Sequence, residues 1–203
     1  MNLKEQTVIF IKSEAIQRHL IGDIIKRFEQ IGLKLTACKM LAPTSEQMAK
    51  HYPDSEEWLK SCGQKTYDNL IAQGVKPEMG PVDLAKRTRQ RLIDYFVDRP
   101  LIAMVWEGPN AIALGRKKAG STNPLEAVNG SIRGDFSTDS YETADGLGRC
   151  LQTIVHASGS ATDAENEINI WFSKDEILDY DLIDEKIIYE KEWGEIKKSK
   201  IIM

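Results

Sequence analysis

Apolar positions along the chain change their period repeatedly, and each change marks an element. QTVIFIK, from Gln6 to Lys12, is β-branched and aromatic as strands are. Ile16, Leu20, Ile24 and Phe28 then recur at helical spacing on one face, predicting a single helix closed by Gly32. LKLTACKML alternates like a half-buried strand, and Pro43, Thr44 and Ser45 start a short helix towards His51 and Tyr52. From about 53 to 81 the pattern loosens between turn residues, which predicts an inserted excursion of one or two short helices. Such an excursion is either a plain surface feature or a lid or subunit contact. VDLAKRTRQRLIDYFVDRP resumes as an amphipathic helix, and Leu101 to Gly108 is a nearly continuous apolar strand of the kind found at the centre of a sheet. A short helix reaches Gly120, an irregular loop follows, and CLQTIVH (Cys150 to His156) reads as the last strand. In ATDAENEINIWF, Thr162 and Glu165 form a capping box, with Ala164, Ile168, Trp171 and Phe172 on the apolar face. The tail from Tyr180 is amphipathic.

This order of strands and helices predicts an α+β fold, a ferredoxin-like split β-α-β sandwich whose antiparallel sheet carries helices on one face. A chain of 203 residues suits one domain, 1–203, with the excursion at about 53–81 inserted into it.

Composition narrows the class. Hydrophobic content of 41% and charged content of 29% are ordinary for a globular protein, and no stretch is apolar for long enough to cross a membrane. The N-terminus lacks the pattern of a signal peptide, and three widely spaced cysteines fit reduced thiols, so the expected location is cytoplasmic. A net charge of -4 argues against a nucleic-acid surface while leaving room for a small basic pocket. The run Lys197, Lys198, Lys200 reads as a solvated tail end.

The candidate chemistry centres on His156. It follows a short apolar run and precedes Ala157, Ser158, Gly159 and Ser160, small residues that let a large ligand approach the imidazole, and Glu167 follows on the next predicted helix. His19 reads as the polar edge of the first helix, and His51 has no assigned role. There is no glycine-rich phosphate loop, so side chains must hold any phosphates; Lys12, Arg116 and Arg133 stand at strand ends or in the irregular loop.

The blocks FIKSEAIQRHLIGDIIKRFEQIG, AMVWEG, TNPLEAVNGSIRGDFSTDS and TIVHASGSATDAENEINIWF, taken in order, resemble the signature segments of the nucleoside diphosphate kinases. The resemblance runs from about Gln6 to Tyr180. It implies a ping-pong enzyme in which His156 takes the γ-phosphate of a nucleoside triphosphate and passes it to a nucleoside diphosphate. Imidazole suits that task because one ring nitrogen is an unprotonated nucleophile near neutral pH. Glu167 is implied to orient the ring, with Ser158 bonded in the same group. Lys12, Arg116, Thr122 and Arg133 are implied to hold phosphates, Tyr52 to stand beside the histidine, and Leu92 to face the base. Mg²⁺ is the implied cofactor, with Asp54 reaching it through water, and the implied assembly is a homo-oligomer, a dimer-based tetramer or hexamer.

The chain also departs from the family pattern. HASGS stands where the family reads H-G-S-D-S: Ala157 keeps a carbonyl for the second ring nitrogen, and Gly159 removes a carboxylate near the metal. Thr153 replaces an asparagine that contacts the sugar. The excursion displaces the aromatic that stacks on the base, leaving Trp58 or Tyr67 as candidates, and the segment between Arg133 and His156 is expanded. Gly159 and Thr153 carry the alternative reading, a catalytically impaired nucleotide-binding or interaction module of the same fold.

Overall fold

The computed structural model describes residues 4–183 and Glu185. Its elements run β1 (Glu5–Ile11), α1 (Ser13–Gln17), α2 (Ile21–Glu29), β2 (Lys34–Leu41), α3 (Ser45–His51), α4 (Glu56–Ala72), α5 (Pro81–Phe96), β3 (Leu101–Gly108), α6 (Ala111–Ala119), α7 (Ile132–Phe136), α8 (Tyr141–Gly146), β4 (Val155–Ala157) and α9 (Ala161–Trp171). The strands pair only antiparallel, in the order β2-β3-β1-β4, the ferredoxin-like plan.

Helices cover both faces of this sheet rather than one. The continuous apolar runs of the two central strands are the reason, since a strand with no polar side must be covered twice. Ile9 and Ile11 of β1, with Ile102, Met104 and Trp106 of β3, pack with Ile24 and Phe28 of α2 and with Ala111 and Ala119 of α6. Val8 and Phe10, with Leu101, Ala103 and Val105, face the other way, onto Met48 of α3, Ile93 and Phe96 of α5 and Trp171 of α9.

The first predicted helix is two. His19 takes φ 59, and the N–H groups of His19 and Leu20 bond back to the carbonyls of Ile16 and Ala15, both at 3.0 Å. This is the closing motif usually made with glycine. Ile16 and Leu20 still pack with Ile24 and Phe28, so the apolar spacing survives the break.

The excursion is one long helix. Ser55 caps α4 by accepting from the Trp58 N–H at 3.3 Å, and Leu59, Gly63 and Leu70 are buried along one side. A Cβ at Gly63 would lie 2.0 Å from the Pro81 carbonyl oxygen, so glycine there permits α4 to seat on the start of α5.

The predicted strand from Cys150 shrinks to Val155–Ala157. Ile154 adopts φ 66, uncommon for a β-branched residue, and the Val155 N–H turns back to the Thr153 carbonyl at 2.6 Å. That tight turn breaks the extended run and fixes the entry to β4. Ser160, not Thr162, caps α9: its hydroxyl oxygen accepts from the Asp163 N–H at 3.1 Å and its hydroxyl donates to Asp163 Oδ2 at 2.8 Å. Beyond α9 the chain returns along β2, where the Leu178 N–H bonds to the Thr36 carbonyl and buried Lys34 pairs with Glu107 and Glu185, each at 2.9 Å. The basic run Lys197, Lys198, Lys200 lies outside the described residues.

Candidate active site

Strand register aims His156. Its partner across β1 is Phe10, and because side chains alternate, Val155 and Ala157 enter the core on one face while the imidazole lies against the Phe10 ring on the other, centroids 4.9 Å apart. The ring stays partly open, with 18% of its side-chain surface exposed.

A chain of hydrogen bonds then fixes the ring. The Val8 N–H donates to Ser158 Oγ at 2.9 Å, Ser158 donates to Glu167 Oε2 at 2.6 Å, and Glu167 Oε1 stands 2.9 Å from His156 Nε2. Burial alone would raise the Glu167 carboxyl; the neighbouring His156, His51 and Ser158 outweigh it and hold the group below its ordinary value. An ionised Glu167 accepts, so Nε2 carries the ring proton and Nδ1 keeps its lone pair. Among the described residues nothing bonds Nδ1. The Ala157 carbonyl, expected to hold the second ring nitrogen, instead faces Arg116 Nη1 at 3.5 Å.

His51, given no role from sequence, belongs to this group. Its ring meets His156 edge to face at 4.7 Å and its Nδ1 lies 4.0 Å from Glu167 Oε1. The Trp171 indole donates to that same Nδ1 at 3.2 Å, which makes Nε2 the protonated nitrogen of a neutral ring. Burial, then the adjacent His156, push its pKa down to about 3. His51, His156 and Glu167 bring their ligand atoms within 4.8 Å of one another, but His51 Nδ1 already accepts from Trp171, and the Glu167 oxygens are taken up by Ser158 and His156, so hydrogen bonds already occupy these atoms. The sequence did carry a signal: His51 lies three positions after buried Met48 on α3, on the same helix face.

Two of the predicted cations are buried beside the histidine. Lys12 donates to the Thr153 hydroxyl at 2.7 Å and lies over the Phe96 ring at 5.1 Å; burial pulls its pKa down, and Arg133 adds to the effect, against opposition from Glu14 and Cys150. No carboxylate pairs with Lys12 among the described residues, so this desolvated charge lacks an anion. Arg133 is spent largely on the backbone, donating to the carbonyls of Gly120, Ser121, Thr153 and Val155 at 2.7–3.2 Å. Its burial, with Arg116 nearby, lowers it to about 10. Thr153 thus serves both cations, Lys12 through its hydroxyl and Arg133 through its carbonyl.

His156, Glu167, His51, Lys12, Arg133 and Thr153 line a cleft of ≈ 1260 Å³, together with Tyr52, Leu92, Arg116 and Thr122, and Ser158 lies behind it. Burial raises the Tyr52 hydroxyl well above its ordinary pKa, so it is a neutral donor. Asp54 is exposed between two residues that line the cleft and does not line it itself. Besides Glu167, three carboxylates do, those of Glu57, Asp145 and Asp163. Gly159 makes room for Asp163: a Cβ there would meet Asp163 Oδ2 at 2.8 Å. One carboxylate is lost at 159 and another occupies the space.

Comparison with known proteins gives a consistent family. The family model described as "Nucleoside diphosphate kinase" matches residues 5–77 and 81–177. A nucleoside diphosphate kinase of Pyrobaculum aerophilum is 39% identical over 180 residues, 86% of this chain and 98% of the relative. The crystal structure of an NDP kinase from Pyrobaculum aerophilum superposes with a TM-score of 0.83 at 38% identity, covering 87% of this chain and all of the other. A transition-state mimic of the Borrelia burgdorferi nucleoside-diphosphate kinase, with bound vanadate and ADP, gives 0.75 at 33% identity over 93% and 99%.

Proposed function

The chain belongs to the nucleoside diphosphate kinase family and is a phosphotransferase acting on nucleoside di- and triphosphates, and we propose that His156 Nδ1 is the atom through which it transfers phosphate. The observation that carries this reading is the Glu167–His156 bond, which places the proton on Nε2 and leaves Nδ1 free towards the cleft.

Nδ1 attacks the γ-phosphorus of the nucleoside triphosphate. The N–P bond forms as the bond to the bridging oxygen breaks, and that oxygen keeps the electron pair and leaves with the nucleoside diphosphate. Glu167 stabilises the positive charge that develops on the ring, and Ser158 holds the carboxylate against rotation. A second nucleoside diphosphate then takes the phosphoryl group back by the reverse displacement. Transfer of this kind asks mainly for alignment and charge neutralisation. Lys12 supplies an unpaired ammonium, Arg116 an exposed guanidinium, and Tyr52 and Thr122 neutral donors. Arg133 shapes the phosphate end by fixing the turns at 120–121 and 153–155 and offers its remaining N–H to an anion.

Mg²⁺ fits the donor set. Hard carboxylate oxygens are few at the cleft, which suits an ion bound chiefly by phosphate oxygens and water. Asp54 at the margin of the cleft would reach it through water, with Glu57 and Asp163 as further acidic groups lining the cleft, and it would offset phosphate charge. A homo-oligomer belongs to the same reading, supported by exposed Leu125, Val128 and Met40. No helix among the described residues is long and apolar enough to cross a membrane, and a cytoplasmic setting is supported by three free cysteines.

The test is incubation with γ-labelled ATP and Mg²⁺, then a chase with GDP. Wild type takes up acid-labile, base-stable label that moves to GTP, and His156→Ala takes up none while still folding. Full turnover by His156→Ala would refute the assignment.

A further inference from the structure

The short turn that leads into β4 holds several parts of the site at once. Thr153 bonds Lys12 through its hydroxyl and Arg133 through its carbonyl, Val155 gives Arg133 another carbonyl, and His156 follows directly. At the centre of the turn Ile154 holds φ 66. A β-branched side chain resists that conformation, so the surroundings must impose it. Both backbone polar groups of Ile154 are held from the start of α1. Its carbonyl accepts from the Lys12 N–H at 3.0 Å, and its N–H donates to Glu14 Oε1 at 2.9 Å. The other Glu14 oxygen accepts from the Tyr95 hydroxyl of α5. Ser13, between Lys12 and Glu14, donates to the Pro100 carbonyl at 2.7 Å and ties this start of α1 to the chain entering β3.

Glu14 does not line the cleft, yet its carboxylate joins α1, α5 and the turn. We propose that Glu14 is a positioning residue for phosphate transfer: by clamping the Ile154 peptide it fixes where Thr153 meets Lys12 and Arg133 and where β4 begins. The inference rests on the function proposed above and adds to it a residue that acts from outside the cleft. Two buried cations and the nucleophile take their places from one turn, so a small shift of the Ile154 peptide moves all three relative to the phosphates. Transfer is sensitive to such shifts because alignment supplies much of its rate.

Single-turnover labelling of the full chain with γ-labelled ATP and Mg²⁺ reads two quantities, the amount of label bound and the rate at which it binds. A residue that only supports the fold changes the amount, since unfolded chains take up none, whereas one that positions the cations changes the rate. Glu14→Ala leaves the Ile154 N–H without its acceptor and should slow labelling about 10- to 100-fold at full amplitude. Glu14→Met, which keeps the volume without an acceptor, carries the same expectation and serves if Glu14→Ala fails to fold. Glu14→Gln keeps an acceptor for Ile154 and should recover most of the rate. Reduced amplitude at the wild-type rate in Glu14→Ala and Glu14→Met would make Glu14 a structural support. Wild-type rate and amplitude in all three variants would remove it from the reaction. A Gln variant as slow as Ala would assign the effect to the Glu14 charge, which favours the ammonium form of Lys12, instead of to the bond. Each of these results overturns the inference. Label in wild type together with any of them refutes the role of Glu14 alone, whereas no label in wild type refutes the proposed function and the inference with it.

Discussion

The side of the cleft at His156 is fastened by hydrogen bonds that span the chain, from Val8 to Ser158 and from Lys12 to Thr153, while the walls from α4 and α8 are helix faces held by packing and one looser ion pair. The first arrangement tolerates little variation, because each polar group is buried and loses its partner if any one residue changes. The second can be lengthened or replaced while the nucleophile stays in place. An extra helix and an expanded loop can therefore accumulate at one end of an active site without disturbing the other.

Substitutions at the two ends should separate by what they change, stability on the packed side and transfer at His156, and the largest expected effect is a steric one where α4 meets α5. Gly63→Ala puts a methyl against the Pro81 carbonyl and should destabilise the fold by roughly 3 kcal/mol, with nucleotide KM rising more than kcat falls. Urea unfolding and steady-state kinetics would measure both, and unchanged stability would mean that α4 is not seated as described. Glu167→Gln keeps the shape and removes the charge. It should slow transfer about 10- to 100-fold, with KM changing less, in contrast to the pattern at Gly63.

The acid response comes next. His51, with a folded pKa of about 3 against an ordinary 6.5, is neutral in the fold where the unfolded chain binds a proton. Between those values stability rises with pH, so acidification costs about 2 kcal/mol by pH 5. Glu167, whose folded value is lowered, loses its contribution in the same direction at still lower pH. Unfolding midpoints at pH 7 and pH 5 should therefore converge in His51→Gln relative to wild type. The smallest effect is at Thr153→Val, which strips Lys12 of its one side-chain acceptor. About a tenfold rise in nucleotide KM is expected, with Thr153→Ser restoring it; failure of serine to rescue would point to shape rather than the hydroxyl.

The same division explains what could be read from sequence. His156, Glu167, Ser158, Lys12 and Arg133 were singled out from sequence because they fall in ordered blocks that resemble a family, and the structure does bring them together beside the apolar strands β1 and β4. His51 was not, since its place in the site depends on α3 packing against α9, where Trp171 meets its ring. Arg133 was found as a cation, but its backbone duties follow from turns that no periodicity marks. The break at His19 and the turn at Ile154 were hidden by residues that rarely take positive φ. Residues 53–81 read as a loose excursion because the inward sides of α4 mix apolar, polar and charged residues, and their common direction appears only once the helix is seated on α5. Gly159 looked like a loss, and the Asp163 carboxylate beside it could be seen only in three dimensions.

Transfer through His156 Nδ1 can be tested at that atom. With ¹⁵N-labelled histidine, the phosphoenzyme formed from ATP and Mg²⁺ can be examined by heteronuclear NMR for the ring nitrogen bonded to phosphorus. Phosphate on His156 Nδ1, with Nε2 still protonated and facing Glu167, is the predicted result; phosphate on Nε2, or on another histidine, would contradict the account.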